Sequence, residues 1–143
     1  MPATFESRVR TRAFARVIGP FLSILAVIVA VRMPSIGPLV AYFFDSPMLV
    51  WMTGAMLLLG GLFIIANHQY WSGLSAILIS LFGWFLALRG VVLLAAPRLI
   101  QKGAAAAQNR NLMPVAEVFF GLLVLIGLWL TFEGWIAKPP AAP

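Results

Sequence analysis

Long apolar runs alternate along the chain with short stretches that hold nearly all of its charge, and the boundaries between them predict four membrane-crossing helices. The first run, VIGPFLSILAVIVAV between Arg16 and Arg32, has 15 uncharged residues. At helical rise it covers only about 22 Å of a hydrocarbon core about 30 Å thick. Both bounding arginines can snorkel to the headgroups and recover the length, so a helix is expected over about 17–33. A second run, about 48–66, lies between Asp45 and His68, with Ser46 before Pro47 reading as an N-cap ahead of a proline at the first helical position. The third, about 71–96, stops at Pro97 and Arg98. The fourth, about 114–135, opens on Pro114 and carries Glu117 in its first turn, where an anion suits the helix dipole.

The connections divide into two kinds. Residues 33–47, MPSIGPLVAYFFDSP, contain three prolines and Gly37, which break a continuous span while the aromatic residues keep the segment apolar; it is expected to lie in the interface. NHQYWSG, between helices 2 and 3, is so short that the two helices must form an antiparallel hairpin. The stretch 97–113 is the polar loop, with Arg98, Lys102 and Arg110, and its alanine run can form a short surface helix. Trp51, Trp71, Trp129 and Trp135 fall near span ends, as interfacial aromatics do. The chain thus reads as an Arg-rich tail (1–16), an all-α integral membrane four-helix bundle (17–136) and a C-terminal tail (137–143).

Composition agrees with lipid as the solvent. Of 143 residues 62% are hydrophobic and 10% charged, with mean hydropathy +1.00, whereas soluble domains carry about 25% charged residues. A signal peptide is the rival reading of the N-terminus, since arginines precede a short apolar core. Arg32 directly after that core, and Ile28 three before a cleavage site at Ala30, argue against it. The net charge of +6 sits in tails and loops, where anionic headgroups attract it, so the expected partner is the bilayer and not nucleic acid. Counting basic residues by side gives Arg8, Arg10, Arg12, Arg16 and Lys138 against Arg32, Arg98, Lys102 and Arg110, close to a tie. Because the first helix usually dominates, both termini are expected to be cytoplasmic.

Candidate chemistry is sparse. With no cysteine and one histidine, thiolate sites are excluded, and zinc or bis-histidine haem ligation would need a second chain. No phosphate loop or metal-ligand spacing is present, and no cofactor and no catalytic residue are expected. What the helices do carry is small residues at helical spacing. Ala76, Ser80, Gly83, Ala87 and Gly90 in helix 3 recur at intervals of 4, 3, 4 and 3; Gly54 and Gly61 in helix 2 and Gly127, Thr131 and Gly134 in helix 4 keep the same repeat. Such seams let backbones approach closely, and they are expected to pack the bundle around helix 3 or to mediate oligomerisation.

Two polar clusters are expected. On one side Arg89, inside helix 3, pairs with Glu117, with Arg32 and Asp45 nearby; on the other Arg16, His68 and Glu133 gather at headgroup depth, His68 as an interfacial residue. A proton-coupled transporter would need acids near mid-membrane, and the small four-helix multidrug transporters carry a coupling glutamate in helix 1, where none is expected here.

HQYW, then LISLFGW, RG and Pro97, and GLWLTFEGW at the end of helix 4, together resemble a group of small uncharacterised bacterial inner-membrane proteins. The resemblance covers residues 48–135. The group's pattern usually has Asn where this chain has Gln69 and Lys where it has Arg89. It implies a bacterial inner-membrane location and four helices, and brings no activity. The expectation is therefore a non-catalytic structural or accessory subunit, as a homo-oligomer or within a larger membrane complex; the alternative is a small transporter or channel with a polar path near Arg89 and Glu117.

Overall fold

The computed structural model describes residues 4–109 and 111–137, so Arg110 and Lys138 of the charge count, with 139–143 of the C-terminal tail, lie outside the described residues. Six α-helices and no strand occur among them: α1 (Phe5–Arg32), α2 (Gly37–Asp45), α3 (Pro47–Asn67), α4 (Leu74–Ala95), α5 (Pro97–Ala107) and α6 (Met113–Thr131). A 3-10 turn, Met33–Ser35, follows α1, and a π-turn, Phe132–Ile136, prolongs α6. Helices α1, α3, α4 and α6, the last with its π-turn, are long and apolar enough to cross a membrane, which makes this a multi-pass membrane protein.

α1 begins at Phe5 rather than near residue 17, so most of the expected tail is helix. Thr4 caps it, its hydroxyl accepting from the Ser7 N–H at 3.2 Å. Glu6 stands in the first turn, where the dipole favours it, and pairs with Arg10 one turn on at 2.8 Å. Glu6 is therefore an acid in helix 1, but it sits at the helix's outermost turn and is already paired. The 28 residues make a rod about 42 Å long, which exceeds the hydrocarbon thickness by about two turns. Pro20 lies inside it and cannot donate to the Arg16 carbonyl one turn back. The Trp135 indole N–H donates to that oxygen instead, at 3.1 Å, and the Arg16 guanidinium stacks over the Trp135 ring.

The other boundaries follow from local chemistry. Ser46 adopts the extended N-cap conformation before Pro47, but its side chain makes no capping bond, contrary to expectation. α3 closes where the His68 N–H reaches the Ile64 carbonyl at 2.7 Å. Gly73, at φ 99°, is the one positive-φ residue described; it turns the chain into α4, which starts at Leu74 and not at Trp71. Pro97 forces Ala96 out of the helical region, so α4 stops and α5 starts in a new direction.

The spans pack as two tight antiparallel pairs. In the α3–α4 pair, Gly61 faces the Ala87 backbone and Gly90 faces Leu58 so closely that a Cβ at either would stand within 2.5 Å of a backbone nitrogen. Gly83 meets the side chain of Ile64 and Gly54 that of Leu94, with a Cβ at either reaching 2.7 and 2.8 Å from a side-chain carbon. In the α1–α6 pair, Gly19 faces Thr131, Gly127 faces Ser23, and Gly134 faces the backbone of Arg16. The small residues of the last helix thus serve α1, not a central third helix. Between the pairs the contact is an apolar cluster: Ala15 and Ile18 of α1, Ile64 of α3, Ile79 of α4 and Leu130 of α6 are buried together. Both seams are filled within the chain and cannot serve an oligomer without unpacking the fold.

This up-down arrangement gives the molecule two unlike ends. One gathers the start of α1, the 68–73 loop and the end of α6. The other gathers the start of α3 and of α6, with α2 and α5 touching one another across it where Gly37 abuts the Gln108 side chain.

Candidate functional site

At the loop end, His68 is 1% exposed, which corrects its expected place as an interfacial residue. Two hydroxyls from different helices hold its ring. Nε2 lies 2.9 Å from Thr11 Oγ1 on α1, and Nδ1 lies 3.2 Å from Ser80 Oγ on α4. The Ser80 hydroxyl donates onward to the Tyr70 carbonyl at 3.0 Å, which fixes the loop. Phe14 and Tyr70 meet the imidazole edge to face, with centroids 5.4 and 5.2 Å away. Burial without a charged neighbour lowers the His68 pKa below the usual 6.5, so the neutral ring is the resting form at pH 7. With the Ser80 proton on the Tyr70 carbonyl, the neutral ring donates from Nδ1 to Ser80, while the Thr11 hydroxyl has both His68 Nε2 and the Ser7 carbonyl, at 2.7 Å, within reach of its one proton.

Glu133 does not pair with His68. It accepts a short hydrogen bond from the Ser75 hydroxyl of α4, and Ser75 accepts from the Trp129 indole at 3.1 Å. Arg16 joins neither. Its Nε donates to the Gly134 carbonyl at 2.8 Å, and Arg12 donates to the same oxygen at 3.1 Å. The π-turn presents that carbonyl at the C-terminal end of the last span, where cations are favoured. The expected cluster of Arg16, His68 and Glu133 is therefore three separate ties at one end, each joining two helices.

Thr11 has no part in the sequence reading, and Arg12 enters it only in the charge count. The signal was present: Thr4, Ser7, Thr11 and Ala15 recur at intervals of 3, 4 and 4, a small and hydroxyl-bearing face that continues through Gly19 and Ser23 into the packed seam.

At the other end the expected ion pair is absent: among the described residues the one ion pair is Arg10 with Glu6. Arg89 and Glu117 are both exposed, as are Arg32 and Asp45, and none of the four bonds to another. Glu117 stands on α6 beside Ala116, the small residue that turns inward, and is not among the residues lining the cavity beside Arg89. What Arg89 does line is a half-open cavity of about 540 Å³, bordered by the end of α1, the start of α6 and the two short helices, with Val29, Val40, Ile100, Phe119 and Phe120 on its walls.

The two ends differ in chemical capacity. His68 and Ser80 form a histidine–serine contact, but the Ser80 proton is committed to a backbone carbonyl and both side chains are buried, so a substrate meets neither without separating the helices. Among the described residues no three His, Cys, Asp or Glu gather as metal ligands. Comparison with protein-family models, with curated proteins and with solved structures finds nothing that matches this chain.

Proposed function

We propose that the protein is a non-catalytic structural or accessory subunit of a bacterial inner-membrane assembly, with both termini cytoplasmic. One observation carries the reading: at the loop end the polar side chains are spent on joining helices. His68 ties α1 to α4 through Thr11 and Ser80, Ser75 ties α4 to α6 through Glu133 and Trp129, and the Arg12 and Arg16 guanidiniums tie α1 to the π-turn. Residues so committed specify an architecture. Since the small-residue seams are filled within the chain, a homo-oligomer or a larger complex forms through lipid-facing surfaces.

A transporter or channel with a path at Arg89 and Glu117 is the second reading, and the cavity beside Arg89 is what favours it. Separation of Glu117 from that cavity weighs against it. Purification in mild detergent, with proteoliposome flux measured in parallel, tests the pair. A stoichiometric copurifying protein without flux supports the accessory role. Flux abolished by Arg89→Ala and Glu117→Gln overturns it.

A further inference from the structure

The geometry points to a binding site at the α2–α5 end for a single-chain anionic amphiphile, one acyl chain ending in a carboxylate or phosphate, its chain in the cavity and its head on Arg89. The cavity's volume of about 540 Å³ lies inside the range of about 300 to 1,000 Å³ typical of small-molecule sites. Its walls are aliphatic and aromatic; among the described lining residues Arg89 is the one charge and Gln108 the one polar amide.

One feature calls for an anion and a second for a lipid-like chain. Arg89 has no hydrogen bond and no ion pair among the described residues, although it lies six residues short of Ala95, about 9 Å inside the end of α4. A guanidinium at that depth without a counter-charge is costly, and an anionic head offsets that cost through charge-assisted hydrogen bonds. α2 and α5 also contribute to the cavity wall. α5 turns Ile100, Ala104 and Ala107 inward and Arg98 and Lys102 outward, as a helix lying in the headgroup layer does. A helix so placed puts the cavity at headgroup depth, where the bilayer supplies amphiphiles.

This inference is independent of the accessory role, and its test does not read transport. The full chain, purified in mild detergent, is equilibrated with palmitate, lysophosphatidylglycerol or lysophosphatidylcholine, and retained ligand is counted by native mass spectrometry. About one palmitate or one lysophosphatidylglycerol per chain is expected, and which is retained more distinguishes carboxylate from phosphate. Arg89→Gln should weaken retention about tenfold, the loss of one charge-assisted contact. Gly103→Leu enters open space beside the cavity and should reduce retention of both without unfolding the protein. Lys102→Gln should leave it unchanged. Equal retention of the zwitterionic lysophosphatidylcholine, preferential retention of diacyl phosphatidylglycerol, or no change in Arg89→Gln with a wild-type melting profile overturns the assignment.

Discussion

The two ends of the bundle use the same kinds of residue in opposite ways. At the loop end, a histidine, two arginines and a glutamate are each partnered across a helix boundary, and glycine lets the backbones touch. At the α2–α5 end the side chains of two arginines, a glutamate and an aspartate make no hydrogen bond or ion pair among the described residues, and a cavity stands where the other end has a packed cluster. A polar side chain in a membrane protein is therefore no guide by itself to a functional path. What matters is whether its partner lies on a neighbouring helix or has to come from outside the chain.

The sharpest way to break this comparison is to add the same side chain at each end. Gly134→Leu drives a Cβ to 2.7 Å from the Arg16 backbone nitrogen, whereas a Cβ at Gly103 meets nothing within 4 Å. Overpacking costs about 1–3 kcal/mol, and here the obstacle is backbone, so Gly134→Leu should lose about 3 kcal/mol or more in detergent unfolding while Gly103→Leu stays near wild type. Equal losses would mean the ends are packed alike.

Next in size is the histidine tie. His68→Phe keeps a ring for Phe14 and Tyr70 but removes both nitrogens from Thr11 and Ser80, and should cost about 1–3 kcal/mol. Stability within 0.5 kcal/mol of wild type would show that the tie carries nothing. Its pH dependence has a definite sign. Burial lowers the folded pKa beneath the unfolded value of 6.5, so the unfolded chain binds the proton more readily. Stability is full above about pH 6.5 and falls as pH drops from there through the folded pKa. A melting series from pH 7.5 to 5 should show this slope in wild type and lack it in His68→Gln.

A smaller effect concerns the carbonyl that Pro20 leaves open. Trp135→Phe removes its donor and should cost about 0.5–1 kcal/mol, less in a Pro20→Ala background where the backbone N–H returns. Additive losses in the double-mutant cycle would disprove the link. The smallest loss is expected at the cavity end: with no protein partner to lose and an uncompensated charge removed, Arg89→Gln should not lower the unfolding free energy of the ligand-free protein in detergent.

The spans were legible because a run of apolar residues bounded by charge has one meaning in a bilayer, and Pro47 and Pro114 mark two starts while Pro97 marks an end. The start of α1 was not, because Arg8, Arg10, Arg12 and Arg16 read as a solvated tail; residues of good helix propensity extend a helix past the membrane surface once Thr4 and Glu6 cap it. The small-residue repeats identified contact faces but not which helix each would meet, since spacing fixes a face and says nothing of its partner. Pairing was misread at the clusters for the same reason: Arg89 and Glu117 share a side of the membrane, yet Glu117 projects from the outward face of α6. The burial of His68 depends on Thr11, which stands 57 residues away in sequence.

The pairing of α1 with α6 also sets an order of events during synthesis. α3 meets α4 across a six-residue loop and is complete almost as soon as it is made, but α1 ends at Arg32 and its partner begins at Met113. At about 5–20 residues per second the ribosome needs roughly 4 to 16 s to bridge that interval. For that time the Gly19 and Ser23 face of the first helix lies uncovered in the membrane, held until the last helix emerges to close it.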